Sequence, residues 1–117
     1  MIAIPVKDRS EDPIIDDRFG RGEMFCIVDK NNNFKIIENS AKDLTSGAGG
    51  MAVSLLADED VTVIISPHIG PKAMDAIEAL NIQAYDMGLT KTVTEAIKSL
   101  ELNRLKMITK KQGLRRV

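Results

Sequence analysis

The run VTVIIS, Val61 to Ser66, is β-branched at five of its six positions and carries no charge. A strand of that composition needs cover on both faces. On either side of it the apolar period changes. Upstream, SGAGGMAVSLLADED sets Ala48, Met51, Ala52, Leu55 and Leu56 at i, i+3, i+4, i+7 and i+8, which is one face of a helix. Downstream, Ala73, Met74, Ile77 and Leu80 repeat that spacing, with Gly70 at the cap position and Pro71 at N1, where a missing N–H costs nothing. A fully buried strand between two amphipathic helices belongs to a sheet built by crossovers, and such crossovers are right-handed.

The remaining segments complete that sheet. MIAIPV reads as a short buried strand. MFCIVD and FKIIEN flank KNNN, whose asparagines tolerate left-handed backbone angles, and together they read as an antiparallel hairpin. IQAYD is a further short strand. TVTEAIKSL opens with Thr92 and Glu95 in capping-box spacing and puts Val93, Ile97 and Leu100 on one stripe. The predicted order is βββαβαβα: a mixed five-stranded sheet flanked by helices in three layers, of α/β class. With the first strand central, a crevice is expected where strand order reverses, outside the carboxyl ends of the first and fourth strands. Val6, the loop after Ser66 and the start of the first helix would line it. Between the first two strands, KDRSEDPIIDDRFGRGE is a long charged loop of the kind that is often functional.

Charge is unevenly placed. Lys106, Lys110, Lys111, Arg115 and Arg116 give the last twelve residues +5, leaving −6 on the body of a chain whose total is −1. A basic end could touch an acidic partner, but its commoner state is a solvated, frayed and disordered terminus. Three phenylalanines and one tyrosine are too few for a base-stacking platform, so no nucleic-acid partner is expected. No apolar run is long enough to span a bilayer, and MIAIPVKD is unlike an export signal. With one cysteine, Cys26, and so no intrachain disulfide, the expectation is a cytoplasmic protein without membrane partners.

Candidates for chemistry are few. TSGAGG lets backbone approach a ligand at a helix start, where free N–H groups favour an anion. Equally, Gly47, Gly49 and Gly50 could serve a tight turn and close helix–sheet packing. The segment lacks the Gly-Lys-Ser/Thr of a P-loop. In DDRFGRGE, Arg21 could fork onto an anion, or simply answer the carboxylates of Asp16, Asp17 and Glu23. His68, the only histidine, follows Ser66-Pro67 at the end of the buried strand and is either a turn residue or a ligand at the expected crevice. Cys26 lies mid-strand and reads as a small buried hydrophobe. One cysteine and one histidine cannot fill the four-ligand shell of an ordinary protein-bound iron–sulfur cluster or structural zinc. The strand order is shared with ribonuclease H-like nucleases, yet neither MIAIPV nor VTVIIS carries the carboxylate that two-metal chemistry requires. A serine or cysteine nucleophile would have only His68 as base.

IAIPV, FGRGEMFCIVD, GAGGMAVSLLADEDVTVIIS, HIGPKAMDAI and TVTEAI occur in an order that resembles the dinitrogenase iron–molybdenum cofactor biosynthesis family, which includes NifX-like proteins and the carboxyl-terminal domain of NifB-like proteins. The resemblance runs over residues 1–105 and leaves the basic tail, residues 106–117, outside. It implies a single ribonuclease H-like domain without nuclease or other enzymatic activity. It also implies non-covalent carriage of an anionic metal–sulfur cofactor, of iron–molybdenum or iron–sulfur type, or its precursor. Cluster-assembly or acceptor proteins are then the implied partners. The motif positions are Phe19-Gly20-Arg21, Gly47-Ala48-Gly49 and His68-Ile69-Gly70, with His68 as the implied metal contact. Ser66-Pro67 departs from the glycine-containing step common before that histidine. The alternative, of a different class, is a regulatory or protein-interaction module with no cofactor.

Overall fold

The computed structural model describes residues 1–109. The elements are β1 (Ile2–Val6), β2 (Met24–Val28), β3 (Phe34–Glu38), α1 (Ala48–Asp58), β4 (Val63–Ser66), α2 (Pro71–Ala79), β5 (Gln83–Asp86), α3 (Val93–Glu101) and β6 (Met107–Ile108). They form one sheet in the order β3-β2-β1-β4-β5-β6. The sheet is mixed: β1 pairs antiparallel with β2 and parallel with β4, while β5 runs parallel to β4. The sheet has six strands where the sequence pattern gives five. Met107–Ile108, the start of the stretch read as a tail, pairs antiparallel with β5. A two-residue strand has too few positions to show an alternation, so pattern cannot reveal it. The other basic residues of that stretch, Lys110, Lys111, Arg115 and Arg116, lie outside the described residues.

Three layers follow from alternation along the central strands. Ala3, Phe25, Ile27 and Ile64 face α1 and α2, together with Ala52, Val53, Leu56, Met74 and Ile77. Ile4, Val6, Cys26, Val28 and Ile65 face α3 through Val93, Ala96 and Ile97. The buried arc of α1 is rotated from the expected one. Met51 is 53% exposed and Val53 is buried instead, because the Gly49 side of the helix lies against Ala73 of α2. The loop after β1 is tied down along its length. Val6 bridges Ile15 and Ile14 bridges Thr92, while the Asp16 N–H donates to the Pro5 carbonyl over 2.8 Å.

Pro5 is an unexpected residue in a central strand, because it has no N–H for the ladder. The β1–β4 pairing covers only Ile2↔Val63 and Ala3↔Ile64. Pro5 lies beyond it, where no donor toward β4 is needed. The two strands part at their carboxyl ends, at the point where strand order reverses.

Candidate functional site

Two helices begin at that parting, and both begin without a cap. Gly47 precedes α1 with φ 76° and offers no side chain; Gly70 precedes α2 in extended conformation and likewise offers none. Neither helix has an acidic residue in its first turn. Helix α3 differs. The Glu95 N–H donates to Thr92 Oγ1 (3.3 Å), the Thr94 N–H donates to Asp12 Oδ1 (2.9 Å), and Glu95 Oε1 accepts from the Lys91 N–H (2.7 Å). The same chain thus caps one helix thoroughly and leaves two bare. Bare N-terminal N–H groups carry the positive end of the helix dipole and favour an anion.

Both bare ends face one cleft of about 590 Å³, within the roughly 300–1,000 Å³ typical of ligand sites. It brings together residues from all three motifs: Phe19, Gly20 and Arg21; Gly47, Ala48 and Gly49; His68 and Gly70. Ile69 does not join them; its side chain is buried in the α1/α2 core. Phe19 is also largely buried, its ring 5.4 Å from that of Phe25, so it supports the cleft wall. Glycine is required at two of these positions by close approach. A Cβ on Gly20 would lie 2.8 Å from Gly49 Cα, and one on Gly49 would lie 3.0 Å from Ala73 Cβ. Packing therefore accounts for Gly20 and Gly49, and the left-handed backbone for Gly47. No such demand falls on Gly70, where a Cβ would meet nothing within 4 Å.

The arginines divide the work differently from their sequence spacing. Among the described residues, Arg21 pairs with no carboxylate. Its Nη1 donates to the carbonyls of Lys42 (3.0 Å) and Leu44, and its Nη2 to that of Thr45 (3.4 Å). It therefore clamps the turn and loop leading into α1 while bringing its charge to the cleft edge. Arg18 takes the carboxylate instead, with Nε and Nη2 each 3.2 Å from the two oxygens of buried Asp16. Burial opposes ionisation of Asp16, but the bonds and charge of Arg18 outweigh it and hold the carboxyl below its ordinary value.

Asn39 and Lys72 are invisible to motif spacing. Asn39, fully buried, donates from Nδ2 to the carbonyls of Gly20 (3.0 Å) and Gly22 (2.9 Å) and accepts the Ala41 N–H (3.1 Å), which fixes the Phe19–Arg21 turn. Lys72 and Arg18 add cations to the cleft, and Asp17 adds one carboxylate. The absence of acids in the first turns of α1 and α2 is the sequence signal that could have drawn attention to Lys72.

His68 is exposed at the cleft mouth. Cys26 is buried in β2 on the α3 side, and burial pushes its thiol up to about 12, so it is not a thiolate at neutral pH. Among the described residues no three His, Cys, Asp or Glu side chains gather to hold a metal ion. No described helix is long and apolar enough to cross a membrane.

Residues 1–103 match the family model described as dinitrogenase iron–molybdenum cofactor. An uncharacterised protein of Methanocaldococcus jannaschii is 38% identical over 101 residues, covering 83% of this chain and 81% of its own. Among solved structures, the apo form of the orange protein from Desulfovibrio gigas superposes with a TM-score of 0.86 at 28% identity, covering 92% of this chain and 91% of that one. A Thermotoga protein described as a candidate NifB gives a TM-score of 0.77 at 30% identity, with 92% of both chains covered.

Proposed function

The chain belongs to the dinitrogenase iron–molybdenum cofactor family, and from that premise we propose that it is a non-catalytic carrier of an anionic metal–sulfur group, bound in the cleft between α1 and α2. The observation that carries this is the convergence of two uncapped helix N-termini on a cleft edged by Arg18, Arg21 and Lys72. The donor set fits such cargo. With one imidazole and no accessible thiolate, the protein cannot supply an inner coordination shell. The cargo must therefore arrive with its own sulfide ligands, and backbone N–H groups and cations would hold those from outside. Of the two cleft side chains able to bind metal directly, His68 and Asp17, the imidazole brings no negative charge against an anionic cargo, and we assign it that contact. The similarity to a protein solved in its apo form, and to one described in terms of NifB, supports the cofactor reading. Assembly or acceptor proteins would then be its partners.

Anaerobic reconstitution of the purified chain with ferrous iron, molybdate and sulfide tests this. After desalting, the wild type should retain metal and show visible absorption, and His68→Ala should retain less. Retention of no metal by the wild type, together with capture of a partner protein, would instead favour an interaction module.

A further inference from the structure

We propose that Lys72 is the charge-selecting contact of the cleft, kept at a helix start that it destabilises because the cargo carries more than one negative charge. This rests on the carrier reading and adds to it a residue and a charge class. Lys72 is the second residue of α2, after Pro71, where a cation opposes the helix dipole. A structural lysine in such a position would be expected to have compensation. Here no ion pair or hydrogen bond among the described residues meets its ammonium, and its side chain lines the cleft. The chain places an acid, Glu95, in the first turn of α3, so the local rule is followed elsewhere in the same molecule. Departures from local rules without structural compensation gather at functional sites.

A neighbouring feature points the same way. Gly70 needs to be glycine neither for its backbone angles nor for packing, so the open backbone leaves room for a bulky group to sit on the helix end. A multiply charged anion seated between the two helix ends would have Lys72 and the free N–H groups around it. A neutral group would leave the Lys72 charge uncompensated, and a single negative charge would answer only part of the Lys72 charge together with about half a positive charge at each helix end.

The test uses the full chain with Lys72→Arg, Lys72→Ala and Lys72→Glu, each reconstituted anaerobically with ferrous iron, molybdate and sulfide. Bound metal is measured against sodium chloride concentration, and thermal unfolding is followed without metal. Lys72→Arg should load like the wild type. Lys72→Ala should bind about tenfold more weakly, as for loss of one charged contact, and with a shallower salt dependence; Lys72→Glu should not load. Without metal, the Ala and Glu variants should both melt above the wild type. A wild type that loads while Lys72→Glu loads equally well overturns the assignment and leaves the carrier reading intact. A wild type that does not load at all defeats the carrier reading, and this inference with it. A metal-free Lys72→Glu that melts below the wild type overturns the claim that the lysine weakens the helix.

Discussion

Replacing three neighbouring glycines with alanine should give three different results, set by what each new methyl would meet. At Gly20 the Cβ would fall 2.8 Å from Gly49 Cα and 2.9 Å from Gly49 N, with Ala48 C at 3.3 Å. Carbon atoms pack at about 3.5–4.0 Å, so the loop and the first turn of α1 must separate by about 0.7 Å. Everything the methyl meets is backbone, so no flexible side-chain end can yield. Overpacking of this kind costs about 1–3 kcal/mol, and for a domain this size the melting temperature should fall by on the order of 10 °C. At Gly50 a Cβ would meet nothing within 4 Å. There alanine should stabilise by up to about 1 kcal/mol through its better helix propensity. Gly49→Ala lies between the two: the same propensity gain is set against a 3.0 Å contact with Ala73 Cβ, and α2 must shift by a few tenths of an ångström. Thermal unfolding of the three variants by circular dichroism gives the order Gly50→Ala, then Gly49→Ala, then Gly20→Ala, from most to least stable. Gly20→Ala melting with the wild type, or Gly50→Ala melting below it, would refute the packing account of this corner.

Three further expectations follow from the same geometry. Asn39→Ala removes two donated bonds and one accepted bond inside the molecule and should destabilise by about 2 kcal/mol or more, read from urea unfolding. Asp16 has its carboxyl held below the ordinary value, with burial opposing and Arg18 outweighing it; its contribution is therefore present above the unfolded value near 3.9 and lost as pH falls through the lower folded one. Asp16→Asn should accordingly be less stable at neutral pH and flatten the acid limb of a stability–pH curve below about pH 4. Cys26, buried and raised to about 12, should resist thiol-modifying reagents at pH 8 in the folded protein and react in denaturant; prompt modification of the native chain, seen by mass spectrometry, would contradict its placement.

The architecture was legible because its strongest signals are local. VTVIIS, the Gly-Pro helix start and the Thr92/Glu95 cap each carry a period or a turn chemistry within a few residues, and the order of β1, β4 and the helices then fixes where a cleft must open. Pattern alone does not determine which arc of a helix is buried once a second helix competes with the sheet. For that reason Met51 is exposed while Val53 is buried. Nor does spacing along the chain predict partners across it. Arg21 stands among Asp16, Asp17 and Glu23 in sequence, yet it reaches carbonyls twenty-one to twenty-four residues away. The lysine opposite Glu23 is Lys42, at 2.7 Å. Asn39 carries the turn it holds through main-chain oxygens, which leave no trace in residue type.

The division between packing and binding in this cleft bears on what kind of binder it is. Gly20, Gly49, Arg21 and Asn39 are committed to holding the loop against the helix ends. On the proposed reading, the groups left over for cargo are backbone N–H donors, the Lys72 ammonium, the Asp17 carboxylate and the exposed His68 imidazole. A site of that composition would recognise charge and surface sulfides from outside and would offer metal at most His68 and Asp17. Such contacts are individually modest and fall with ionic strength, unlike a closed shell of thiolates. Cargo held this way could be surrendered to an acceptor that offers true inner-sphere ligands, because nearly all the bonds to be exchanged are hydrogen bonds and ion contacts. Release without breaking a coordination shell is what a carrier requires, and it is the physical reason a cleft poor in ligands suits that role better than a ligand-rich one.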